Sequence, residues 1–297
     1  LPLPGLDGAN PLGFLAALGT WRIADQLFPG TKMHWKTNAT HWSPVLNLEE
    51  PQNEKDLIDQ LSSKLKEGSS NQLFRLNKDL KIQTNSFRKE ARMVIESGDR
   101  LIADWFSAIG SDAHEDKYGN IDGTLFDLMN AGKQYFLQTI CFLIENTSRD
   151  DLHNTLFENW AYKNQRGGMR WDLAEDRRYA LRWKDPQSET TESQWGANRL
   201  AIEALPMLQT IPTSKRLETT GFVSKSKRHT FFTWPIWTCP ISVDTCRSLL
   251  AFTGNCNIDE SINLQKMGIA SLFRSQRIWK GKPPNDYSNF RPAIAIG

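Results

Sequence analysis

Apolar positions recur along the chain at spacings that separate helices from strands. Residues 5–28 open on Asp7-Gly8, a turn pair, after which Leu12, Leu15, Ala16, Leu18, Gly19, Ile23 and Leu27 form a broad apolar face. That spacing predicts a helix, with Asn10 placed to accept from its unpaired N–H groups and Pro11 at its first position. Gly13 and Gly19 lower helix propensity and point to close packing against a neighbour. Two strand-like pieces follow, at 33–36 and 41–46, each carrying a His-Trp pair (His34-Trp35, His41-Trp42). Leu57, Ile58, Leu61 and Leu65 predict an amphipathic helix over 54–67 that stops at Gly68, with a loop at 68–72. Residues 86–109 read as one helix bent near Gly98, apolar at Leu101, Ile102, Trp105, Phe106 and Ile109. Arg88, Lys89 and Arg92 on its early turns oppose the helix dipole and favour an external anion. Residues 110–123 read as a polar loop, followed by helices over 130–145, capped by Asn130, and over 150–162.

Residues 166–208 change in texture. Arg166, Arg170, Arg177, Arg178, Arg182, Lys184 and Arg199 interleave with Trp171, Trp183 and Trp195 around a Gly-Gly turn, and the stretch ends in an apolar helix, GANRLAIEALPML. Arginine offers planar donors to phosphates and base edges, and Trp a flat face for packing or stacking. Residues 210–214 read as a hinge or domain edge. Strands are predicted at 217–223 and 229–237, with a basic hairpin loop at 224–229 and Pro235 marking an edge or bend. A helix over 242–252 brings Leu249 and Leu250 inward, and residues 269–279 alternate as a strand does. The pattern predicts an α+β fold: a helix-rich region with short strands over 1–208, then a smaller, basic, mixed β/α region over 209–297, packed separately or as one unit with the first.

Charge sharpens this division. The overall net charge is +2, but residues 1–150 carry a net −4, residues 151–205 a net −1 and residues 206–297 a net +7. The basic final third suits a phosphate-facing patch, against the plainer reading of a solvated face. Cys141, Cys239, Cys246 and Cys256 form no CxxC pair and share no zinc-like spacing with His, so scattered thiols in a reducing compartment are expected. No apolar run is long enough to span a bilayer, and the apolar start carries Asp7 and lacks a basic leading segment, so a cytoplasmic location is expected.

Walker, dinucleotide-binding, nucleophile-elbow and HExxH signatures are all missing from the sequence, and no cofactor or catalytic role is called for. Three carboxylates in WDLAED, Asp172, Glu175 and Asp176, offer one catalytic alternative: a metal-dependent nuclease holding Mg²⁺. Pairing with Arg170, Arg177 and Arg178 in one polar segment is the structural alternative. Asp112, His114, Glu115 and Asp116 pose the same question in a stretch that reads as a solvated loop. For nucleic-acid binding the candidates are Arg166, Arg170, Arg177, Arg178, Arg182, Lys225, Lys227, Arg228, Arg274, Arg277 and Lys280, with Gly167 and Gly168 permitting close backbone approach. A protein-binding scaffold accounts for the same Trp and Arg residues, which dominate interface hot spots.

Four phrases together, GLDGANPLGFLAALGTWR, MRWDLAEDRRYALRWKDP, GANRLAIEALPML and FTWPIWTCPISVDTCRSLLAF, spread over most of the chain. In their order of Trp, Pro, Gly and Arg they resemble the large-subunit-type proteins of type I-G (formerly I-U) CRISPR effector complexes and related proteins encoded beside them. The resemblance implies a non-catalytic subunit of an RNA-guided DNA surveillance complex. Such a subunit sits near the guide RNA 5′ end, contacts a short motif in the double-stranded target DNA and helps open the duplex. It also works with other effector subunits and a separate helicase-nuclease. Base pairing then reads the target while protein reads the flanking motif. The resemblance assigns no recognition residue; the Arg and Lys candidates rest on their chemistry.

Overall fold

Asn10 starts the first helix as its position predicts. In the computed structural model, which describes residues 1–38, 41–67, 71–129, 134–175, 192–226, 229–255, 264–280 and 287–296, helix α1 runs Pro11–Leu27. The Asn10 Oδ1 accepts from the N–H groups of Leu12 and Gly13 at 2.8 and 3.4 Å. Every residue of α1 from Pro11 to Ala24 is buried, so this is a helix packed on all sides. Strands β1 (Lys32–Thr37) and β2 (Trp42–Asn47) pair as an antiparallel hairpin. Helix α2 (Glu54–Glu67) buries Leu57, Ile58, Leu61 and Leu65, the four apolar positions of its pattern.

Residues 86–109 depart from expectation. Gly98 takes a left-handed conformation (φ 73°) and ends helix α3 (Thr84–Ser97), and the Asp99 side chain then caps a separate helix α4 (Arg100–Ile109). The expected polar loop over 110–123 is in fact a hairpin of β3 (Gly110–Glu115) and β4 (Ile121–Gly123). Its turn is built by Asp116, whose carboxylate accepts from the N–H groups of Tyr118 and Asn120. Helix α5 spans Phe136–Asn146, and α6 spans Arg149–Phe157 behind a Ser148–Asp151 capping box. Helix α7 (Trp195–Ile202) continues into a 3₁₀ turn at Leu205–Met207. The stretch read as a hinge or domain edge opens a short antiparallel pair, β5 (Thr210–Pro212) with β6 (Leu217–Thr219).

Strands β7 (Phe222–Ser226) and β8 (His229–Trp237) form the basic hairpin's arms. Helix α8 (Val243–Asn255) packs on β8, and β9 (Ile269–Lys280) pairs antiparallel with β8. Strands β10 (Tyr287–Phe290) and β11 (Ile294–Ala295) both pair with β9. The whole is an α+β fold.

One core crosses position 208. Phe14 of α1 lies against Trp35 at 5.8 Å and Trp234 at 5.7 Å between ring centroids, while Trp21 and Trp35 each meet Trp237. Three of these indoles donate to backbone carbonyls at 2.8 Å, Trp21 to Thr31, Trp234 to Gly8 and Trp237 to Met33, whereas Trp35 Nε1 is buried without a hydrogen-bond partner. Helices α1 and α7 touch so closely at Gly19 that a Cβ there would sit 1.8 Å from the Leu200 carbonyl oxygen. This explains the glycine in a helix interior. Beside that crossing lies a buried ion triad: Arg22 and Arg199 donate to opposite oxygens of Glu203 at 3.0 and 2.7 Å.

Cys141, Cys239 and Cys246 are free thiols; Cys256 lies outside the described residues. Among the described residues no helix is long and apolar enough to cross a membrane.

Candidate functional site

The Gly-Gly turn is fixed at both ends by α7 and its approach. Asn164 and Ser193 bridge as an isolated antiparallel pair. The Arg166 carbonyl accepts from Ser193 Oγ and Trp195 Nε1, each at 2.6 Å, and Trp195 braces edge-on against Phe142. Gly167 has φ 76°, and a Cβ on it would collide with the Phe142 ring at 2.9 Å. The next residues turn inward. The Met169 N–H donates to Asn198 Oδ1 at 2.9 Å, and Trp171 is fully buried, its Nε1 donating to the Phe126 carbonyl at 2.9 Å. Among the described residues the only non-glycine positions with positive φ are Arg170 (63°) and Tyr162 (48°), and both belong to this segment. A left-handed side-chain-bearing residue costs on the order of 1 kcal/mol, which the surrounding anchors must offset.

Two carboxylates sit beneath the turn. Asp172 is 1% exposed, and its Oδ1 accepts from Asn10 Nδ2 and the Ala174 N–H, both at 3.1 Å. Glu175 is buried on the adjoining 3₁₀ turn, Leu173–Glu175, and its Oε2 accepts from the Arg170 N–H at 2.9 Å. Burial first, then the neighbouring Asp172 charge, push the Glu175 carboxyl up to about 8. Tyr162 is pushed upward too, by burial and then by the same two carboxylates. Both carboxylates are thus buried beneath the turn, while Arg177 and Arg178, two of the arginines expected to pair with them, lie outside the described residues. Glu175 engages Arg170 through the backbone, while the Arg170 guanidinium donates to Gln134 Oε1 at 3.1 Å from Nε and 2.7 Å from Nη2. Asp176 lies outside the described residues.

Of the basic candidates, Arg166 is exposed and Arg170 half-buried on the turn. Arg177, Arg178, Arg182, Lys227 and Arg228 lie outside the described residues, as does Trp183. Lys225 falls in β7 and Lys280 at the end of β9. Arg274 of β9 donates to Thr233 Oγ1 at 3.0 Å and lies over the Phe231 ring at 5.7 Å. Arg277 turns toward the protein: its Nη2 donates to the Asp127 carbonyl at 2.7 Å, and burial pulls the guanidinium down to about 10.

The 124–129 loop joins these pieces. Adjacent carbonyls, Phe126 and Asp127, take Trp171 from the turn and Arg277 from β9, and β10 packs against Leu173–Glu175. The structure thus brings the Arg166–Trp171 segment and the basic β9 strand to one region. In the acidic hairpin Asp112 pairs with Arg88 at 2.7 Å, and His114 Nε2 hydrogen-bonds the Thr213 carbonyl. His34 likewise bonds Asn47 Oδ1 at 2.7 Å.

Sequence reasoning missed Asn10, Asn198, Gln134 and Phe126 as supports of the turn. Asn10 carried a visible signal as a helix cap, but nothing local showed that its amide would reach Asp172. No protein-family model matches the chain, and no curated protein is significantly similar to it.

Proposed function

We propose that this chain is a non-catalytic, nucleic-acid-contacting subunit of a CRISPR RNA-guided DNA surveillance complex, meeting guide RNA or the flanking DNA motif through the Arg166–Arg170 turn and the neighbouring β9 region. The observation that carries the reading is the pair of adjacent carbonyls at Phe126 and Asp127, which mount the turn and β9 on one short loop. A mounted turn presents the exposed Arg166 with little ordering entropy left to lose on binding, which favours phosphate contact. Burial of Asp172 and Glu175 supports a non-catalytic role: two of the three carboxylates of the nuclease alternative lie beneath the turn and not at a substrate-facing surface.

The test is ultraviolet crosslinking of the full chain, alone and assembled with guide RNA and partner subunits, followed by peptide mapping. Crosslinks on residues 163–171 or on β9 support the reading. Co-purification with partner subunits and no nucleic-acid crosslink in either state removes it and leaves the scaffold role.

A further inference from the structure

Where the Gly-Gly turn crosses α5, two aromatic rings lie beside its cations. Phe142 stands about 200° around α5 from Ile140, away from the buried row Phe136, Leu137, Ile140 and Leu143. Trp195 and Gly167 cover part of its ring, and Phe142 and Trp195 both remain half-buried. The rings meet edge to face, centroids 5.3 Å apart and planes at 84°, so one of them gives only its rim to the contact. The Trp195 indole is held by its Nε1 bond to the Arg166 carbonyl at 2.6 Å. Gly167 adds no side chain over the pair: a Cβ there would lie 2.9 Å from the Phe142 ring and 3.1 Å from Trp195 Nε1.

Charge selects the ligand. Residues 163–170, KNQRGGMR, carry three basic side chains and no acidic one, and Lys163 and Arg166 are exposed. Lys163 precedes Asn164, whose Oδ1 takes the Trp195 N–H at 3.2 Å, so cations flank the rings on both strands of the bridge. A protein partner would use the same rings, but a run of one sign favours a polyanion. An unpaired nucleotide needs both parts of this arrangement, a flat apolar face for its base and positive charge for its phosphates. In a duplex the base faces are already stacked on one another, and phosphates alone are left to meet the turn.

We propose that Phe142, Trp195 and Arg166 form a stacking site for an unpaired base of single-stranded nucleic acid, the ring pair meeting the base while Arg166 and Lys163 meet the flanking phosphates. This rests on the nucleic-acid reading above and narrows it to strands with unpaired bases.

The experiment measures binding of the full chain to oligo(U), oligo(dT), an abasic strand of the same length and charge, and a duplex of that length, by fluorescence anisotropy. The expected order is single strand tighter than both abasic strand and duplex. A preference for oligo(U) assigns the site to guide RNA, and one for oligo(dT) to an opened DNA strand. Trp195→Leu and Phe142→Leu each weaken single-strand binding by roughly 5- to 150-fold, the loss of one stacked base, and leave duplex binding unchanged. Phe142→Leu removes no side-chain hydrogen bond and serves as the variant that stays folded, checked by circular dichroism. Equal affinity for the abasic and unmodified strands overturns the inference, as does undiminished single-strand binding by folded Phe142→Leu; either result leaves phosphate contact by Arg166 standing. Absence of single-strand binding also overturns it and leaves the rings to a protein partner, while crosslinking of the assembled complex decides the broader reading separately.

Discussion

Asn10 and Asp172 are 162 positions apart in sequence, yet the Asn10 amide donates to the Asp172 carboxylate at 3.1 Å. One side chain therefore caps α1 with its oxygen and holds the base of the basic turn with its nitrogen. Removing both roles with Asn10→Ala is expected to cost about 2–4 kcal/mol, combining a lost cap with a buried carboxylate short of a donor. Asn10→Ser keeps the cap alone and falls between the two. Denaturant unfolding of the three proteins checks the order.

Trp171 ties the same turn to the Phe126 carbonyl. Trp171→Phe keeps most of the apolar volume and forfeits that hydrogen bond, with an expected loss of about 1–3 kcal/mol. Trp171→Ala also opens a cavity beside Phe126 and Phe136 and is expected to cost about 3–5 kcal/mol. The measurement is the denaturation midpoint at constant slope.

The Arg22–Glu203–Arg199 triad is almost entirely out of water. Glu203→Ala leaves two buried guanidinium groups without their shared counter-charge, and a loss of about 3–5 kcal/mol is expected. Thermal melting detects it, and a variant as stable as the unaltered chain contradicts the packing described for α1 and α7.

Asp127 supplies a pH test. Burial, first among its causes, raises its carboxyl from the usual 3.8 to about 6. A carboxyl raised on folding stabilises the fold while protonated, fully below about pH 3.8, and that contribution is lost as the pH rises through about 6. Asp127→Asn keeps an acceptor for the Met129 N–H, which Oδ1 now takes at 2.8 Å. The stability of the unaltered chain relative to Asp127→Asn is expected to fall between pH 4 and pH 7; a constant difference contradicts the burial assigned to this group.

Much of the fold was legible because its signals are local. Asn10-Pro11 marks the start of α1, the Leu57–Leu65 spacing gives α2, and β-branched and aromatic residues give β8. The β3–β4 hairpin was not legible because its strands are polar and bulged, with their turn set by Asp116 side-chain bonds that no periodicity announces. Gly98 was seen as a bend, while its left-handed φ and the Asp99 cap make it a break. The site was read only in part. The Arg and Trp residues were visible, but the inward turn of Trp171 and Arg277 depends on backbone carbonyls at Phe126 and Asp127, and the burial of Asp172 depends on Asn10 from the opposite end of the chain.

The turn carrying Arg166 is proposed to meet phosphates. Its most direct test is the salt dependence of guide-RNA and duplex-DNA binding for the unaltered chain, Arg166→Ala, and a control at the exposed Arg216, which pairs with Glu218. Each lost phosphate contact lowers the slope of log K against log salt by about 0.7–0.9. That decrease, with weaker binding to all sequences, is expected for Arg166→Ala, and an unchanged slope for Arg216→Ala. Equal slopes and affinities for the unaltered chain and Arg166→Ala would contradict it.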